Sequence, residues 1–155
     1  MPLLYQPRSG EIVRCDFHGM IEPEMIKKRD VVVLTPNKRN RRLVTIIPLS
    51  TTAPTVPQPY HHELSQDPRP GATAMCSVWA KCDMVYTVSL GRLESHYIRT
   101  RRGGRQTIRL KLPDRDFTAI RLAVANALNL GDNSIVPVKD FESGSVSALK
   151  QPEWP

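Results

Sequence analysis

The sequence predicts a mainly β domain, a small barrel of about six to seven strands with one α-helix near its C-terminal end. Three observations support this: short β-branched runs that end at prolines, 14 prolines in 155 residues, and helical periodicity in a single late segment. Proline is excluded from helix interiors and central strands, so its abundance favours many short strands joined by defined turns. The composition, 40% hydrophobic and 24% charged, is that of an ordinary globular domain.

The first strands are predicted from their β propensity. Residues 10–17 begin at a glycine and have high β propensity, although their alternation is imperfect. Residues 31–35 and 43–47 are continuous apolar runs, each followed by a proline, which is typical of buried strands. The short basic link between them, residues 37–42, predicts that these two strands pair as a hairpin.

The middle of the chain predicts loops and shorter strands. Residues 18–30 are polar and indicate a loop with room for a short helical turn near residues 20–28. Three prolines make residues 50–60 an irregular extended loop. Residues 60–64 suit an edge strand, and residues 74–90 have the length for two strands separated by a polar link.

A second hairpin and the helix complete the fold. Residues 97–112 form a basic hairpin in which Gly103 and Gly104 supply a favoured two-residue turn. The helix begins with Asp114 as its N-cap and ends just before Gly131. Its predicted apolar positions are Phe117, Ile120, Leu122, Val124, Ala127 and Leu128. We therefore expect one domain over residues 1–131, followed by a loosely packed or disordered tail over residues 132–155.

Cellular location is predicted from what the sequence lacks. No apolar run approaches the roughly 20 residues of a membrane span, and the N-terminus has no secretory signal pattern. The cysteines, Cys15, Cys76 and Cys82, are odd in number and form no CxxC pair, which favours a reducing compartment. We expect a cytoplasmic protein without membrane association.

The positive charge suggests a polyanionic partner. The formal net charge is +7, and residues 27–42 and 99–115 carry 14 of the 22 Lys and Arg residues. Two basic loops on a barrel suit a groove for a nucleic acid strand. The alternative is that charged turns only keep strand edges soluble.

Other kinds of site are disfavoured. His61 and His62 are adjacent, so on a strand they point to opposite faces and make a poor metal clamp, and no metal or cofactor is expected. The sequence contains cysteines and histidines that could form a pair for nucleophilic catalysis, but lone buried cysteines are usually inert. The sequence contains no P-loop and no GxGxxG motif.

Four segments, taken in order, carry a family resemblance. They are GEIV at residues 10–13, Glu24 with Lys28-Arg29 before the run VVVLT, IPLSTT at residues 47–52, and WAKCDMVYTV at residues 79–88. Their order and spacing resemble the MazF/PemK family of toxin endoribonucleases over roughly residues 8–130. The resemblance implies an SH3-like, PemK-like barrel and the toxin component of a type II toxin–antitoxin system.

That resemblance also implies an activity and partners. The expected reaction is a metal-independent, sequence-specific cut of single-stranded RNA that leaves a 2′,3′-cyclic phosphate and a 5′-hydroxyl. The expected partners are RNA, a cognate acidic antitoxin protein and a second copy of the chain.

Candidate catalytic residues follow from the chemistry of phosphate transfer. The transition state gathers charge on phosphate oxygens, which the guanidinium of Arg29 and the hydroxyls of Ser50 and Thr51 are suited to stabilise. Structural alternatives are a surface cation for Arg29 and turn-capping hydroxyls for the other two. The general base stays open, with Glu24 as the catalytic candidate and Asp83 and His18 as others. Candidate RNA-binding residues are Lys27, Lys28, Lys81, Asp83, Arg101, Arg102 and Arg105.

One departure from the family pattern keeps other functions open. Asp30 stands where the family usually has proline, so a carboxylate lies next to Arg29 in sequence. A toxin of the CcdB type, which acts by protein contact without cutting RNA, is therefore one alternative. A basic small-barrel module that binds DNA or RNA without chemistry is the other.

Overall fold

The computed structural model describes residues 2–72 and 76–130. These residues form ten strands, one short 3-10 helix at Leu90–Arg92 and one α-helix. In chain order the strands and the α-helix are β1 (Glu11–Cys15), β2 (Arg29–Pro36), β3 (Leu43–Ser50), β4 (His61–Glu63), β5 (Trp79–Lys81), β6 (Tyr86–Ser89), β7 (Leu93–Glu94), β8 (His96–Arg99), β9 (Arg105–Ile108), β10 (Leu110–Lys111) and α1 (Asp114–Ala127). The predicted tail, residues 132–155, lies outside the described residues.

The prediction of a mainly β fold with one C-terminal helix is confirmed, with more strands than expected. The additional strands include β7 and β10, which have two residues each and pair with β1. Segments of two residues are too short to show a period in the sequence. In the part of the chain that the structure describes, no helix is long and apolar enough to cross a membrane.

The β2–β3 hairpin forms the centre of an eight-stranded antiparallel sheet. Its pairing path runs β10-β1-β2-β3-β5-β4, with β6 also on β3 and β7 also on β1. Val32 lies opposite Ile47, as the predicted hairpin requires. β3 pairs with β6 through its first half and with β5 at Leu49 and Ser50. β4 ends the path, which confirms the predicted edge strand.

The two faces of β2 belong to separate apolar clusters. Val32 packs with Ile12, Ile47 and Ile120 of the helix in one cluster. Val31 and Val33 pack with Phe17 and Ile46 in the other. A strand buried on both faces reads as a continuous apolar run, which explains the sequence VVV at residues 31–33.

The helix begins at Asp114, so its N-cap lies one residue earlier than predicted. Asp114 is the first helical residue and not the N-cap, which is Pro113 without a side-chain cap. The Asp114 carboxylate instead accepts a hydrogen bond of 3.3 Å from Lys111 Nζ. Two acidic residues in the first turn, Asp114 and Asp116, still favour this helix start through the helix dipole.

The helix ends at an asparagine in the left-handed conformation. Asn129 has φ 55°, and the backbone N–H groups of Asn129 and Leu130 donate to the carbonyls of Asn126 and Ala125. This is the Schellman pattern, which asparagine can adopt in place of glycine. The predicted stop at Gly131 lies outside the described residues.

Asp116 joins the helix to the edge of the sheet. Its buried carboxylate accepts hydrogen bonds from Ser65 Oγ at 2.6 Å, Ser65 N at 3.2 Å and His62 Nε2 at 3.1 Å. Burial raises the pKa of Asp116, but the hydrogen bonds from Ser65 and His62 outweigh it and lower the pKa below its usual value. His61 is occupied elsewhere, accepting from Gln58 N through Nδ1, so the two adjacent histidines do not converge.

The second hairpin, β8–β9, has a longer turn than predicted. Arg99 pairs with Arg105, so the loop has five residues and is not a two-residue Gly-Gly turn. A two-residue type I′ turn needs two residues with positive φ, and here Gly103, at φ 78°, is positive while Gly104 is not. The Thr100 hydroxyl accepts a hydrogen bond from Gly104 N at 3.0 Å and closes the loop.

Residues 18–28 form a loop before β2. Glu24 N donates to Ile21 O at 3.0 Å, which closes one hydrogen-bonded turn in the region where a short helical turn was expected. This loop leads the chain into Arg29 at the start of β2.

Candidate active site

A pocket of about 170 Å³ lies where β2 begins and β3 ends. Val31 is paired with Pro48, and Arg29 and Ser50 lie two residues beyond that pair on their own strands. The pocket is lined by Arg14, Lys28, Arg29, Asp30, Leu49, Ser50, Thr51, Pro68, Arg69 and Val78. Three of the four predicted catalytic residues, Arg29, Ser50 and Thr51, are therefore together in one pocket.

Arg29 presents unused hydrogen-bonding capacity at this pocket. Its side chain is half-buried, and its Nε atom is buried with no hydrogen-bond partner within residues 2–72 and 76–130. No carboxylate of those residues forms an ion pair with it. A planar guanidinium without a protein anion is suited to bind an oxyanion from outside.

Ser50 and Thr51 add hydroxyl groups to the same wall. Ser50 is buried, and its Oγ accepts a hydrogen bond of 3.1 Å from Thr52 N. This interaction is the turn-capping role that was the alternative for Ser50. A hydroxyl that accepts one bond keeps its own proton to donate, so capping and ligand binding are compatible. Thr51 is exposed at the pocket.

Two arginines of the pocket, Arg14 and Arg69, were not predicted from the sequence. Arg69 lies on the loop after β4, where Asp67 holds its guanidinium through contacts of 2.9 and 3.0 Å to Nε and a further one to Nη2. The hydrogen bond from Arg69 lowers the pKa of Asp67. The sequence Asp67-Pro68-Arg69 is typical of a turn and does not by itself indicate a binding site.

Lys28, the remaining cationic side chain of the pocket, is partly neutralised by a carboxylate. Lys28 Nζ donates to Glu94 Oε2 of β7 at 2.9 Å, and this hydrogen bond lowers the pKa of Glu94. The described lining nevertheless contains four cationic side chains and one carboxylate, that of Asp30. Because Arg14, Lys28 and Arg69 are paired with Asp30, Glu94 and Asp67, the positive charge left over at the pocket is that of Arg29.

Asp30 is paired with residues other than its neighbour Arg29. Its Oδ1 lies 3.6 Å from Arg14 Nε across the β1–β2 ladder and 3.5 Å from His96 Nε2 on β8. His96 is buried, which lowers its pKa, while Asp30 raises it and Arg14 lowers it further. The pairing with His96 also places the base of the β8–β9 hairpin beside the pocket.

The other predicted site residues lie outside this lining. Glu24 is exposed on the loop before β2 and accepts a hydrogen bond of 2.8 Å from Ile21 N. Lys27 is exposed on the same loop. Lys81 is half-buried at the end of β5, and Asp83 is exposed in the turn that follows.

The hairpin arginines are exposed at the tip of β8–β9. Arg101 and Arg102 are in the loop, and the Arg105 guanidinium lies 4.6 Å from the centre of the Tyr97 ring. By contrast, the basic turn over residues 37–42 is at the opposite end of β2 from Arg29. Eight strand residues separate the two ends by roughly 23 Å, at about 3.3 Å per residue step. The basic turn over residues 37–42 therefore lies apart from Arg29, whereas Lys28 of the same basic segment lines the pocket.

Thiol and metal chemistry have little support in the described structure. Burial raises the pKa of Cys15 to about 12 and that of Cys82 to about 12, so neither is a ready thiolate nucleophile. Within residues 2–72 and 76–130, no group of three or more His, Cys, Asp or Glu side chains is placed to hold a metal ion.

Solved structures with the same fold include MazF and a mycobacterial endoribonuclease. MazF from Deinococcus radiodurans aligns with a TM-score of 0.55 at 18% identity, covering 81% of this chain and 98% of that chain. A mycobacterial endoribonuclease, solved in complex with its cognate antitoxin, aligns with a TM-score of 0.51 at 21% identity, covering 80% of this chain and 96% of that chain. These similarities establish the shared fold.

Similarity in sequence identifies the family. YifN of Escherichia coli strain K12 is 32% identical over 149 residues, covering 83% of this chain and 96% of YifN. A Haemophilus influenzae protein is 29% identical over 138 residues, covering 81% of this chain and 92% of its own length. The family model described as the PemK-like, MazF-like toxin of type II toxin–antitoxin systems matches residues 8–128. The resemblance inferred from the four segments is thus confirmed, and the chain belongs to the PemK-like, MazF-like toxin family.

Proposed function

We propose that this toxin is an endoribonuclease that cleaves single-stranded RNA without a metal ion. The observation that supports it most is the pocket that Arg29, unpaired by any described carboxylate, shares with Ser50 and Thr51. Solved structures of the same fold include proteins described as endoribonucleases. A binding module would need the positive charge, but it would not need a guanidinium and hydroxyls gathered at a single phosphate-sized position.

The proposed reaction is an internal transesterification. The ribose 2′-oxygen attacks the adjacent phosphate, and the 5′-oxygen departs, leaving a 2′,3′-cyclic phosphate and a 5′-hydroxyl. Arg29 stays protonated at neutral pH, so its role is to stabilise the charge on the phosphate oxygens. Ser50 and Thr51 donate hydrogen bonds to the same oxygens.

We propose that the RNA beyond the pocket lies along the cationic side chains before β2 and on the β8–β9 hairpin. Lys28 lines the pocket, Lys27 precedes it, and the β8–β9 hairpin is joined to it through His96. The other residues proposed to bind RNA, Lys81 and Asp83, lie beyond Trp79, which is paired with Ser50. The specificity for an RNA sequence is assigned to this extended surface.

Replacing the three hairpin arginines should weaken RNA binding and flatten its salt dependence. Removal of one cation that neutralises a phosphate lowers the slope of log K against log salt by about 0.7 for a single strand, so the Arg101→Ala, Arg102→Ala, Arg105→Ala variant should have a slope smaller by about 2. Binding of a single-stranded RNA measured by fluorescence anisotropy across salt concentrations gives this slope. The matched control changes Lys38, Arg39 and Arg41 to alanine at the far end of β2. If both triple variants change the slope equally, the hairpin does not bind the RNA specifically.

The partners proposed for the chain are a second copy and an antitoxin. A side-by-side homodimer would cover exposed sheet edges and the apolar side chains of Tyr97 and Ile98, which are 46% and 39% exposed on β8. Sedimentation at micromolar concentration should show a species of twice 17.5 kDa. A monomer alone would contradict this assembly.

The antitoxin is proposed to act by charge and occlusion. MazF of Deinococcus radiodurans has been solved together with MazE, and a pocket with the unpaired cation of Arg29 suits an acidic, flexible segment that becomes ordered on binding. We place that segment along residues 18–30 and 50–60, which border Arg29 and Ser50. An acidic peptide of the cognate antitoxin should compete with RNA in a salt-sensitive manner. Simultaneous binding of peptide and RNA would place the inhibitor on a different surface.

Cleavage in the presence of EDTA tests the proposed activity. Purified protein incubated with a long single-stranded RNA and EDTA should give discrete fragments, because no step of the proposed reaction uses a metal ion. RNA that is bound but stays intact would instead favour the non-catalytic toxin or the nucleic-acid-binding module.

A further inference from the structure

We propose that Asp30 is the general base of this toxin, taking the proton from the attacking 2′-hydroxyl. The inference rests on the proposed endoribonuclease function and identifies the proton acceptor that the sequence left open. Asp30 shares the pocket with Arg29, Ser50 and Thr51. It also occupies the position at which the sequence departs from the family pattern.

Location favours Asp30 over the earlier candidates. A general base must come within about 2.6–3.2 Å of the group that it deprotonates. The described lining of the pocket contains the carboxylate of Asp30 but neither Glu24, Asp83 nor His18. The 2′-hydroxyl lies next to the phosphate that Arg29 would hold, and Asp30 follows Arg29 directly in β2. Consecutive residues of a strand point to opposite faces, but at this end of β2 both Arg29 and Asp30 line the same pocket.

The neighbours of Asp30 position its carboxylate but leave part of its hydrogen-bonding capacity unused. Arg14 and His96 approach Oδ1 at 3.6 and 3.5 Å, yet within the described residues this buried atom forms no hydrogen bond. The Asp30 side chain is nevertheless 22% exposed. An ionised carboxylate has about four lone-pair sites, so the part that reaches the pocket can accept a hydroxyl proton. Arg14 from β1, His96 from β8 and Lys28 and Arg29 beside it are the charged and titratable groups around it.

The proton balance of the step is complete with water as the only additional reactant. The O2′–H bond breaks and its proton goes to the Asp30 carboxylate, while the O2′–P bond forms. The P–O5′ bond breaks and the departing 5′-oxygen takes a proton from water. Asp30 then returns its proton to water and is ready for the next cycle.

If Asp30 only obstructed the pocket, its replacement would have the opposite effect on cleavage. A carboxylate beside a phosphate site repels the ligand, so its neutralisation should strengthen RNA binding. If Asp30 only weakened the pocket, Asp30→Asn would raise cleavage as well. If it is the base, Asp30→Asn should lower cleavage although binding is unchanged or tighter.

The test compares two leaving groups in the full-length protein. The substrate is an RNA oligonucleotide spanning a mapped cleavage site, with either the natural 5′-oxygen or a bridging 5′-sulfur at the scissile phosphate. Sulfur leaves without protonation, so it relieves the loss of a general acid but not the loss of a base. We expect Asp30→Asn to be slower by about 10²–10⁴-fold on both substrates. Asp114→Asn, the same charge change at an exposed carboxylate on α1, should match the wild type.

Defined results would overturn the assignment. Asp30→Asn activity at or above the wild-type level, or its full recovery with the sulfur substrate, would show that Asp30 is not the base. A large reduction in Glu24→Gln with an active Asp30→Asn would move the role to Glu24. Wild-type protein that cuts no RNA would overturn the proposed function itself and this inference with it.

A second variant guards against a folding defect in Asp30→Asn. Asp30→Ala leaves space for a small carboxylate, so added formate should restore part of its cleavage rate. Failure of formate to raise that rate, in a variant with a wild-type circular dichroism spectrum, would count against Asp30 as the base.

Discussion

Replacing Arg29 with alanine should lower the rate of RNA cleavage by about 10²–10³-fold while the fold stays intact. Removal of one preorganised donor to a transition-state oxyanion typically has an effect of this size. Arg29 is the first residue of β2 and is half-buried, outside both apolar clusters. Its replacement therefore removes charge from the pocket without opening a cavity in the core. Single-turnover cleavage at saturating protein measures the effect separately from RNA binding.

The control for this change is Arg39→Ala. Arg39 is an exposed arginine in the turn at the far end of β2, so the change in net charge is the same. We expect cleavage by this control to match the wild type. Near-normal cleavage by a correctly folded Arg29→Ala protein would show that the pocket is not the catalytic site.

The second large effect is expected on stability, at Ile120 of the helix. Ile120 is 0% exposed and packs against Val32 and Ile47 of the sheet. Ile120→Ala should lower the free energy of unfolding by about 2–5 kcal/mol, because it removes buried apolar groups and leaves a cavity. Urea denaturation followed by circular dichroism gives the value.

Leu122 on the same helix supplies the matched comparison. The helical spacing in the sequence placed it with the apolar positions, but the structure leaves it 64% exposed. Leu122→Ala should therefore change stability by only about 0.5 kcal/mol or less. Equal destabilisation by the two substitutions would mean that the helix packs through a different face.

Local patterns predicted most of the fold. The runs at residues 31–35 and 43–47 identified the central hairpin because strands buried on both faces carry continuous apolar sequence. The helix was evident from its period, but its end was misplaced. An asparagine, Asn129, adopts the left-handed conformation that the sequence pattern assigned to glycine.

The pocket was predictable in part, for a physical reason. Arg29 and Ser50 flank two strands of one hairpin, so local pairing alone brings them together. Arg69 and His96 reach the site from segments distant in sequence, and their positions depend on how the loop after β4 and the β8–β9 hairpin pack. No periodicity or spacing in the sequence predicts these tertiary contacts. The same applies to Asp30, whose partners across the ladder and on β8 are set by tertiary packing.

The chemical nature of the fragment ends tests the central claim most directly. RNA cut by the wild-type protein in EDTA should have 5′-hydroxyl ends that polynucleotide kinase labels without prior phosphatase treatment, and 2′,3′-cyclic phosphates at the other ends. This result is predicted because attack by the 2′-oxygen leaves no phosphate on the departing 5′-oxygen. Fragments with 5′-phosphates would contradict the proposed reaction, and intact RNA after prolonged incubation would contradict the assignment of this toxin as an endoribonuclease.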